Sequence, residues 1–313
     1  MSIQFIRYWL IVIGFFIQFS AVFAQQNAQF TQWSAHQFSF NPAHAGIKTC
    51  MDVHALFRMQ WVGFEGAPRS GVVTLTAPLE TRRKQYFSAR HGLGFRLESD
   101  RIGQFNTTRF NLAYAGHFNF TQDMRLSLGL FAGAMQFGYD PSKTVTIDVD
   151  PTVYKEASFI APDASFGAWW NGKNYYAGLV LQNLIPIRWT NIGDQSRFRI
   201  HTLINGGYRF SMSETFTLLP SVMVRIPSKG PLSIDAQVMA DWQNKVQLGI
   251  GYRNKDALLF FAGFKINSRF SVLYSFDLTT SALRKVSSNS HELSIILNNC
   301  APAESGSLSC PLF

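Results

Sequence analysis

Apolar residues recur at every second position along most of the chain, and turns rich in Gly, Asn, Asp, Ser or Lys separate the alternating windows. Residues 232–241 show the pattern: Ile234 and Val238 share one face, whereas Asp235 and Gln237 share the other. In an extended chain successive side chains point to opposite faces, so a period of two predicts β-strands.

Fourteen strands are predicted in this way. Their centres lie near Leu56, Val73, Phe95, Ala113, Leu130, Phe166, Leu179, Asn205, Met223, Ala236, Ile250, Phe261, Leu273 and Ile295. Connections after odd-numbered strands are mostly long, at residues 61–68, 100–106, 137–161, 184–199, 226–230, 253–256 and 277–289. Connections after even-numbered strands are mostly short, with 78–89 as the exception. An even strand number with long loops at one end is typical of outer-membrane barrels, whose short turns face the periplasm. The prediction is an all-β, 14-stranded antiparallel transmembrane outer-membrane β-barrel with a periplasmic N terminus.

A secreted soluble β-sandwich is the alternative, because alternation does not distinguish lipid from a protein core on the apolar face. Composition favours the barrel. Only 15% of the residues are charged, against roughly 25% in an ordinary soluble domain. Aromatic residues make up 15% of the chain and bracket many strands, as expected for the interfacial girdles of a membrane barrel.

The net charge of +9 does not indicate nucleic-acid binding. Basic residues are scattered, and Arg82-Arg83-Lys84 is their one run. Nucleic-acid proteins instead cluster lysine and arginine into a patch or stripe. No nucleic-acid partner is therefore expected.

The first 24 residues have the form of an export signal. Arg7 precedes an apolar run, and small residues end the segment, so cleavage is predicted after Ala24. The rest is expected to comprise a polar N-terminal segment at 25–49, the barrel at 50–299 and a tail at 300–313. After the signal, no stretch offers the roughly 18–20 apolar residues that a spanning helix needs.

The predicted lumen face carries both signs of charge. Its residues include Arg96, Arg109, Arg209, Arg253, Glu98, Asp235, Asp241 and Glu292. Mixed charges favour a narrow, internally paired lumen over a wide diffusion pore. The polar segment 25–49 is expected either to fold into this lumen or to lie under it.

No pattern of catalytic, cofactor-binding or metal-ligating residues emerges. The seven histidines lack metal-ligand spacing, and no Gly-x-Ser-x-Gly motif occurs. Gly92 and Gly94 lie inside an alternating strand, where small inward residues relieve crowding, and do not form a phosphate loop. No enzyme activity and no cofactor are therefore expected.

Export places Cys50, Cys300 and Cys310 in an oxidising compartment. A Cys50–Cys300 bond would join the first and last strands at the periplasmic rim. A Cys300–Cys310 bond would close a short loop in a tail flexible enough to meet the required geometry, and it is the predicted pairing.

An ordered series of short motifs resembles the PorP/SprF family of Bacteroidetes outer-membrane proteins. The motifs are Gln29-Phe30-Thr31-Gln32, Phe40-Asn41-Pro42-Ala43-His44-Ala45-Gly46, Arg58-Met59-Gln60-Trp61, Gly66-Ala67-Pro68, Gly92-Leu93-Gly94-Phe95, Asp100-Arg101-Ile102-Gly103, residues 126–133, Tyr176-Ala177-Gly178-Leu179, Tyr274-Ser275-Phe276-Asp277 and Ser290-His291-Glu292-Leu293. The resemblance implies a component of the type IX secretion system, which exports proteins bearing C-terminal sorting domains and serves gliding motility in some relatives.

The resulting hypothesis is a non-enzymatic outer-membrane barrel that anchors periplasmic machine parts or presents surface cargo. Its expected partners are periplasmic and outer-membrane components of the type IX machine, together with outer-membrane lipid. Arg82, Arg83 and Lys84 form the candidate partner-docking turn, although such cations also contact anionic lipid headgroups. A substrate-specific channel is the second hypothesis, and an outer-membrane acyl hydrolase is the third.

Overall fold

The computed structural model describes residues 27–63, 65–79, 89–121, 123–141, 157–188 and 197–299. These ranges contain fourteen strands: β1 (Asp52–Met59), β2 (Arg69–Leu79), β3 (Arg90–Ile102), β4 (Phe105–Asn119), β5 (Arg125–Tyr139), β6 (Ala157–Asn171), β7 (Tyr175–Gln182), β8 in two pieces (His201–Tyr208 and Phe210–Ser211), β9 (Phe216–Pro227), β10 (Ser233–Trp242), β11 (Val246–Arg253), β12 (Ala257–Lys265), β13 (Phe270–Thr279) and β14 (Ser290–Asn298). Three short 3-10 helices lie wholly within the same ranges, at Gln37–Ser39, Pro42–His44 and Ala282–Lys285. No helix of the described residues is long and apolar enough to cross a membrane.

The strands form a closed antiparallel ring. Each pairs with its neighbours in sequence, and β1 also pairs with β14, where Asp52 faces Asn298. Every predicted strand centre falls inside one of the fourteen strands. The predicted 14-stranded barrel is confirmed.

The interruption of β8 at Arg209 has a local cause. The pairing of Gly207 with Ser221 and of Phe210 with Leu218 places Pro220 opposite Tyr208. Proline has no N–H to donate to the ladder, so the regular pairing of β8 lapses beside it and resumes at Phe210.

The ends of the barrel differ in the length of their connections. We call the end with connections after odd-numbered strands the long-loop end, and the opposite end the short-turn end. The predicted connection at 100–106 is wrong, because β3 and β4 continue to Ile102 and Phe105. Gly103 has φ of 57°, which suits the first central position of a two-residue hairpin turn.

The two faces of the wall match the alternation in the sequence. In β10, Val238 is 41% exposed on the outer face, whereas Gln237 is 3% exposed towards the lumen. The outer face presents leucine, isoleucine, phenylalanine and tyrosine, and the buried inner face carries most of the charged residues of the strands. An apolar outer band around a polar interior is the arrangement of a barrel that sits in lipid.

Residues 27–49, which we call the plug segment, fill the lumen. Thr31 contacts Arg58, which is adjacent to the last residue of β1 at the long-loop end. Further along, the carbonyl oxygen of Ala45 accepts a hydrogen bond from His117, near the short-turn end of β4. The plug segment therefore runs down the lumen from the long-loop end to the short-turn end, where β1 begins. The sequence left two positions open for this segment, inside the lumen or under it, and the structure places it inside.

Candidate functional site: the plugged lumen

A buried carboxylate holds the main chain of the plug segment. The amides of Thr31 and Gln32 each donate to one oxygen of Glu292, at 2.8 Å in both cases. Arg58 pairs with the same carboxylate at 3.0 Å. Hydrogen bonds to an ionised acceptor are stronger than neutral ones, so Glu292 fixes the plug segment to β14.

The Thr31 side chain uses its full hydrogen-bonding capacity. Its hydroxyl donates to Asp277 at 2.7 Å and accepts from Arg58 at 2.7 Å and Arg253 at 3.1 Å. A hydroxyl group has one donor and two acceptor positions. The threonine therefore links two arginines and one aspartate of the wall.

These contacts belong to a larger charge cluster of three arginines and three buried carboxylates, and the partly exposed Asp256 lies 3.4 Å from Arg253 at its edge. The members of the cluster are Arg58, Arg225, Arg253, Asp235, Asp277 and Glu292. Arg225 and Asp235 lie 2.8 Å apart, and Arg253 is 3.1 Å from Asp235 and 3.3 Å from Asp277. Each arginine of the cluster thus has a carboxylate partner, as buried charges require.

A second polar network joins the plug segment to the opposite wall. Arg96 donates to the carbonyl oxygen of Ser39 at 2.8 Å and to the side chain of Asn111 at 2.7 Å. Asn111 in turn donates to Asp163 at 2.9 Å. The Arg96 guanidinium also lies 4.4 Å from the centre of the Phe131 ring, a cation–π geometry.

Close packing seals the half of the lumen near the short-turn end. A Cβ atom built on Gly129 would lie 2.5 Å from the amide nitrogen of Ala43, and one on Gly92 would collide with the carbonyl oxygen of Ala45. Glycine is needed where the wall approaches the main chain of the plug segment this closely. The predicted role of Gly92 as a small inward residue is confirmed.

A histidine pair joins the plug segment to β1. Nδ1 of His36 lies 3.1 Å from Nδ1 of His54, whose Nε2 is 2.7 Å from Asp52. His44 of the plug segment contacts Trp169 of β6 edge-on, with 4.1 Å between the ring centroids.

An open space remains beside the plug segment towards the long-loop end. This cavity, which we call the vestibule, has a volume of about 540 Å³. The plug residues Ala28, Gln29 and Phe30 form part of its lining. Arg96, Glu98, Arg109, Asp163 and Arg225 are among the wall residues that line it.

The structure brings together most of the charges predicted for the lumen. Seven of the eight are buried: Arg96, Arg109, Arg253, Glu98, Asp235, Asp241 and Glu292. Arg209 is half-buried at the break in β8. Sequence reasoning missed Arg58, Asp163, Arg225 and Asp277, although each is in phase with the polar face of its strand. It also missed Thr31 and Gln32, because they lie in a segment whose polar and apolar residues do not alternate regularly.

Two predictions concern residues outside the described ranges. The docking turn Arg82-Arg83-Lys84 lies there, as do Cys300 and Cys310. Cys50 is disulfide-bonded, and a chain with three cysteines cannot hold that bond together with a Cys300–Cys310 bond. The predicted Cys300–Cys310 pairing therefore conflicts with the structure.

The described residues contain no group of three or more His, Cys, Asp or Glu side chains placed to hold a metal ion. One serine–histidine contact occurs, with 2.7 Å between Ser127 Oγ and His117 Nδ1. Both residues are fully buried, and the other ring nitrogen of His117 contacts the Ala45 carbonyl and not a carboxylate. The pair therefore lacks the acid and the access of a hydrolytic triad.

A closed β-barrel with an apolar outer band and a plugged, charge-balanced lumen defines an outer-membrane barrel protein. Among solved structures, the chain is similar to the toluene transporter TbuX of Ralstonia pickettii, with 8% identity, a TM-score of 0.51 and coverage of 82% of this chain and 91% of that chain. It also matches a FadL homologue of Pseudomonas aeruginosa, with 10% identity, a TM-score of 0.44 and coverage of 80% and 88%. At these identities the similarity concerns the fold alone.

The model of the type IX secretion system membrane protein family PorP/SprF matches residues 22–297. The chain belongs to this family, as its motifs indicated. None of the curated proteins matches it. The family consists of secretion-system membrane proteins, and this chain is accordingly an outer-membrane component of type IX secretion.

Proposed function

We propose that this protein is a non-enzymatic scaffold of the type IX secretion system, which anchors periplasmic machine parts to the outer membrane or presents surface cargo. The plug segment is the observation that carries this proposal. It fills the lumen of the described barrel, and Glu292 holds two of its successive amides. Because solutes cannot pass through a filled lumen, such a barrel functions through contacts on its surfaces.

The same observation weighs against the substrate-specific channel. A channel needs a continuous path through the barrel. In the half of the lumen near the short-turn end, the plug segment packs so closely against the wall that only glycine fits at the contacts. The hydrolase hypothesis gains no support from the buried Ser127–His117 contact.

The docking turn remains a proposal. In a barrel whose short turns face the periplasm, Arg82, Arg83 and Lys84 follow β2 and thus belong to the periplasmic side. We expect replacement of all three with Ser to lower co-purification of periplasmic machine components and export of sorting-domain cargo, with barrel assembly intact. Quantitative mass spectrometry of affinity-purified envelopes measures the first effect, and cargo in culture supernatants measures the second.

A matched variant separates docking from general attraction to lipid. Lys173, Lys245 and Arg269 are exposed in other turns of the short-turn end, and replacing them with Ser removes the same three charges. The proposal expects nearly normal co-purification from this control. Equal losses from both variants would indicate lipid headgroup contacts, and no loss from the 82–84 variant would exclude the turn as the docking site.

A further inference from the structure

The plug segment crosses the lumen near the long-loop end, where Asn27 contacts Arg109 of β4 and Gln182 of β7. Its strongest contacts are with Arg58 of β1, Asp277 of β13 and Glu292 of β14, which are neighbouring strands. The vestibule lies beside it, and residues of β2–β4 and β6–β11 contribute to its wall. The volume of about 540 Å³ lies within the roughly 300–1,000 Å³ typical of ligand sites.

The charged groups deep in the vestibule are paired with one another. Arg109 lies 2.8 Å from Glu98, and Arg96 lies 3.7 Å from Asp163. Arg225 is likewise paired with Asp235 of the charge cluster. These buried groups offer a ligand no uncompensated charge, whereas the exposed Lys229 and Lys255 add two cations to the lining. The vestibule is therefore suited to a ligand that forms hydrogen bonds and carries no net positive charge.

The plug segment offers unpaired main chain to this space. Ala28 and Gln29 line the vestibule, belong to no helix or strand, and make no hydrogen bond within the described part of the chain. Main-chain N–H and C=O groups without partners are the template on which an extended peptide adds itself as a further strand.

Apolar and donor groups lie next to this main chain. Phe30, Trp33 and Phe40 line the vestibule from the plug side. The indole N–H of Trp33 is buried and has no hydrogen-bond partner among the described residues. Aromatic side chains of this kind provide pockets for alternate side chains of a bound strand.

We propose that the vestibule binds a short extended segment of a second polypeptide, which pairs with the main chain of Ala28 and Gln29. This inference rests on the proposed scaffold function and specifies one of its partners as a polypeptide. The vestibule opens at the long-loop end, and β2 and β3 are connected at the other end of the barrel. A scaffold so built contacts periplasmic components at one end and a polypeptide at the other.

Purified full-length mature protein in detergent micelles provides the test. The probe is a pool of end-capped random decapeptides, and the matched probe is the same pool with N-methylated backbone amides. We expect retention of the first pool and not of the second, because N-methylation removes the donors that pair strands. Gln29→Pro removes the corresponding donor of the plug segment and should weaken retention about tenfold.

A second pair of variants locates the binding. Ser233 lines the vestibule, and Ile234 follows it on the outer face of β10. Ser233→Trp should abolish retention, whereas Ile234→Trp should retain the decapeptides like the wild type, with normal heat-modifiable gel mobility in both. Retention unaffected by Gln29→Pro and Ser233→Trp, or retention of N-methylated peptides or neutral oligosaccharides instead, would overturn the proposal. Absence of any retention by a barrel that is closed to ions and required for export would refute the peptide site and leave the scaffold function standing.

Discussion

Glu292→Ala is expected to loosen the plug segment near the long-loop end of the lumen. The substitution leaves the amides of Thr31 and Gln32 without their acceptor and removes one of the two carboxylates that contact Arg58. Removing one partner of a buried ion pair costs about 3–5 kcal/mol. We expect a loss of this order in the free energy that holds residues 31 and 32 in place, measured by faster hydrogen exchange of their two amides.

Glu214→Ala is the matched control, because Glu214 is exposed in the turn before β9. Exposed substitutions of this kind usually change stability by less than about 0.5 kcal/mol, so hydrogen exchange of the two amides should match that of the wild type. If Glu292→Ala preserves slow exchange at residues 31 and 32, Glu292 does not hold the plug segment.

The second large effect concerns the outer face of the barrel. Val238 is 41% exposed in β10 and follows the lumenal Gln237. Placing a guanidinium in the hydrocarbon region costs about 2–4 kcal/mol near the midplane. Val238→Arg should therefore lower the free energy of unfolding in lipid vesicles by this amount, as measured in urea titrations.

Val238→Leu keeps the outer face apolar and should leave the urea midpoint nearly unchanged. A similarly small effect of Val238→Arg would mean that this position faces water and not lipid, and the assignment of the outer band would then be wrong.

The strands of the barrel were predictable because each alternates along its own length. Val238 and Gln237 lie on the faces that the pattern predicts, since a one-residue slip would place every polar side chain of β10 in lipid. The ends of the strands were less predictable. Alternation does not reveal that β3 and β4 continue to a two-residue turn, which depends on the positive φ of Gly103.

The candidate site was only partly predictable, for a physical reason. Arg253 and Glu292 could be assigned to the lumen from the phase of their strands. Their partner Thr31 belongs to no helix or strand, and 260 residues separate it from Glu292. Contacts of that kind depend on the closed tertiary structure and leave no local pattern in the sequence.

The disulfide was mispredicted on similar grounds. The flexibility of the tail favoured the local Cys300–Cys310 bond, whereas Cys50 is bonded in the structure. Loop length alone does not decide between pairings when the folded barrel positions a cysteine at its rim.

The single-channel conductance of the wild-type protein in planar lipid bilayers tests the central claim most directly. A lumen filled by residues 27–49, which pack closely against Gly92 and Gly129 of the wall, predicts no steady conductance above that of the bare bilayer. Steady, reproducible channels from wild-type protein would contradict the plugged scaffold and favour the substrate-specific channel.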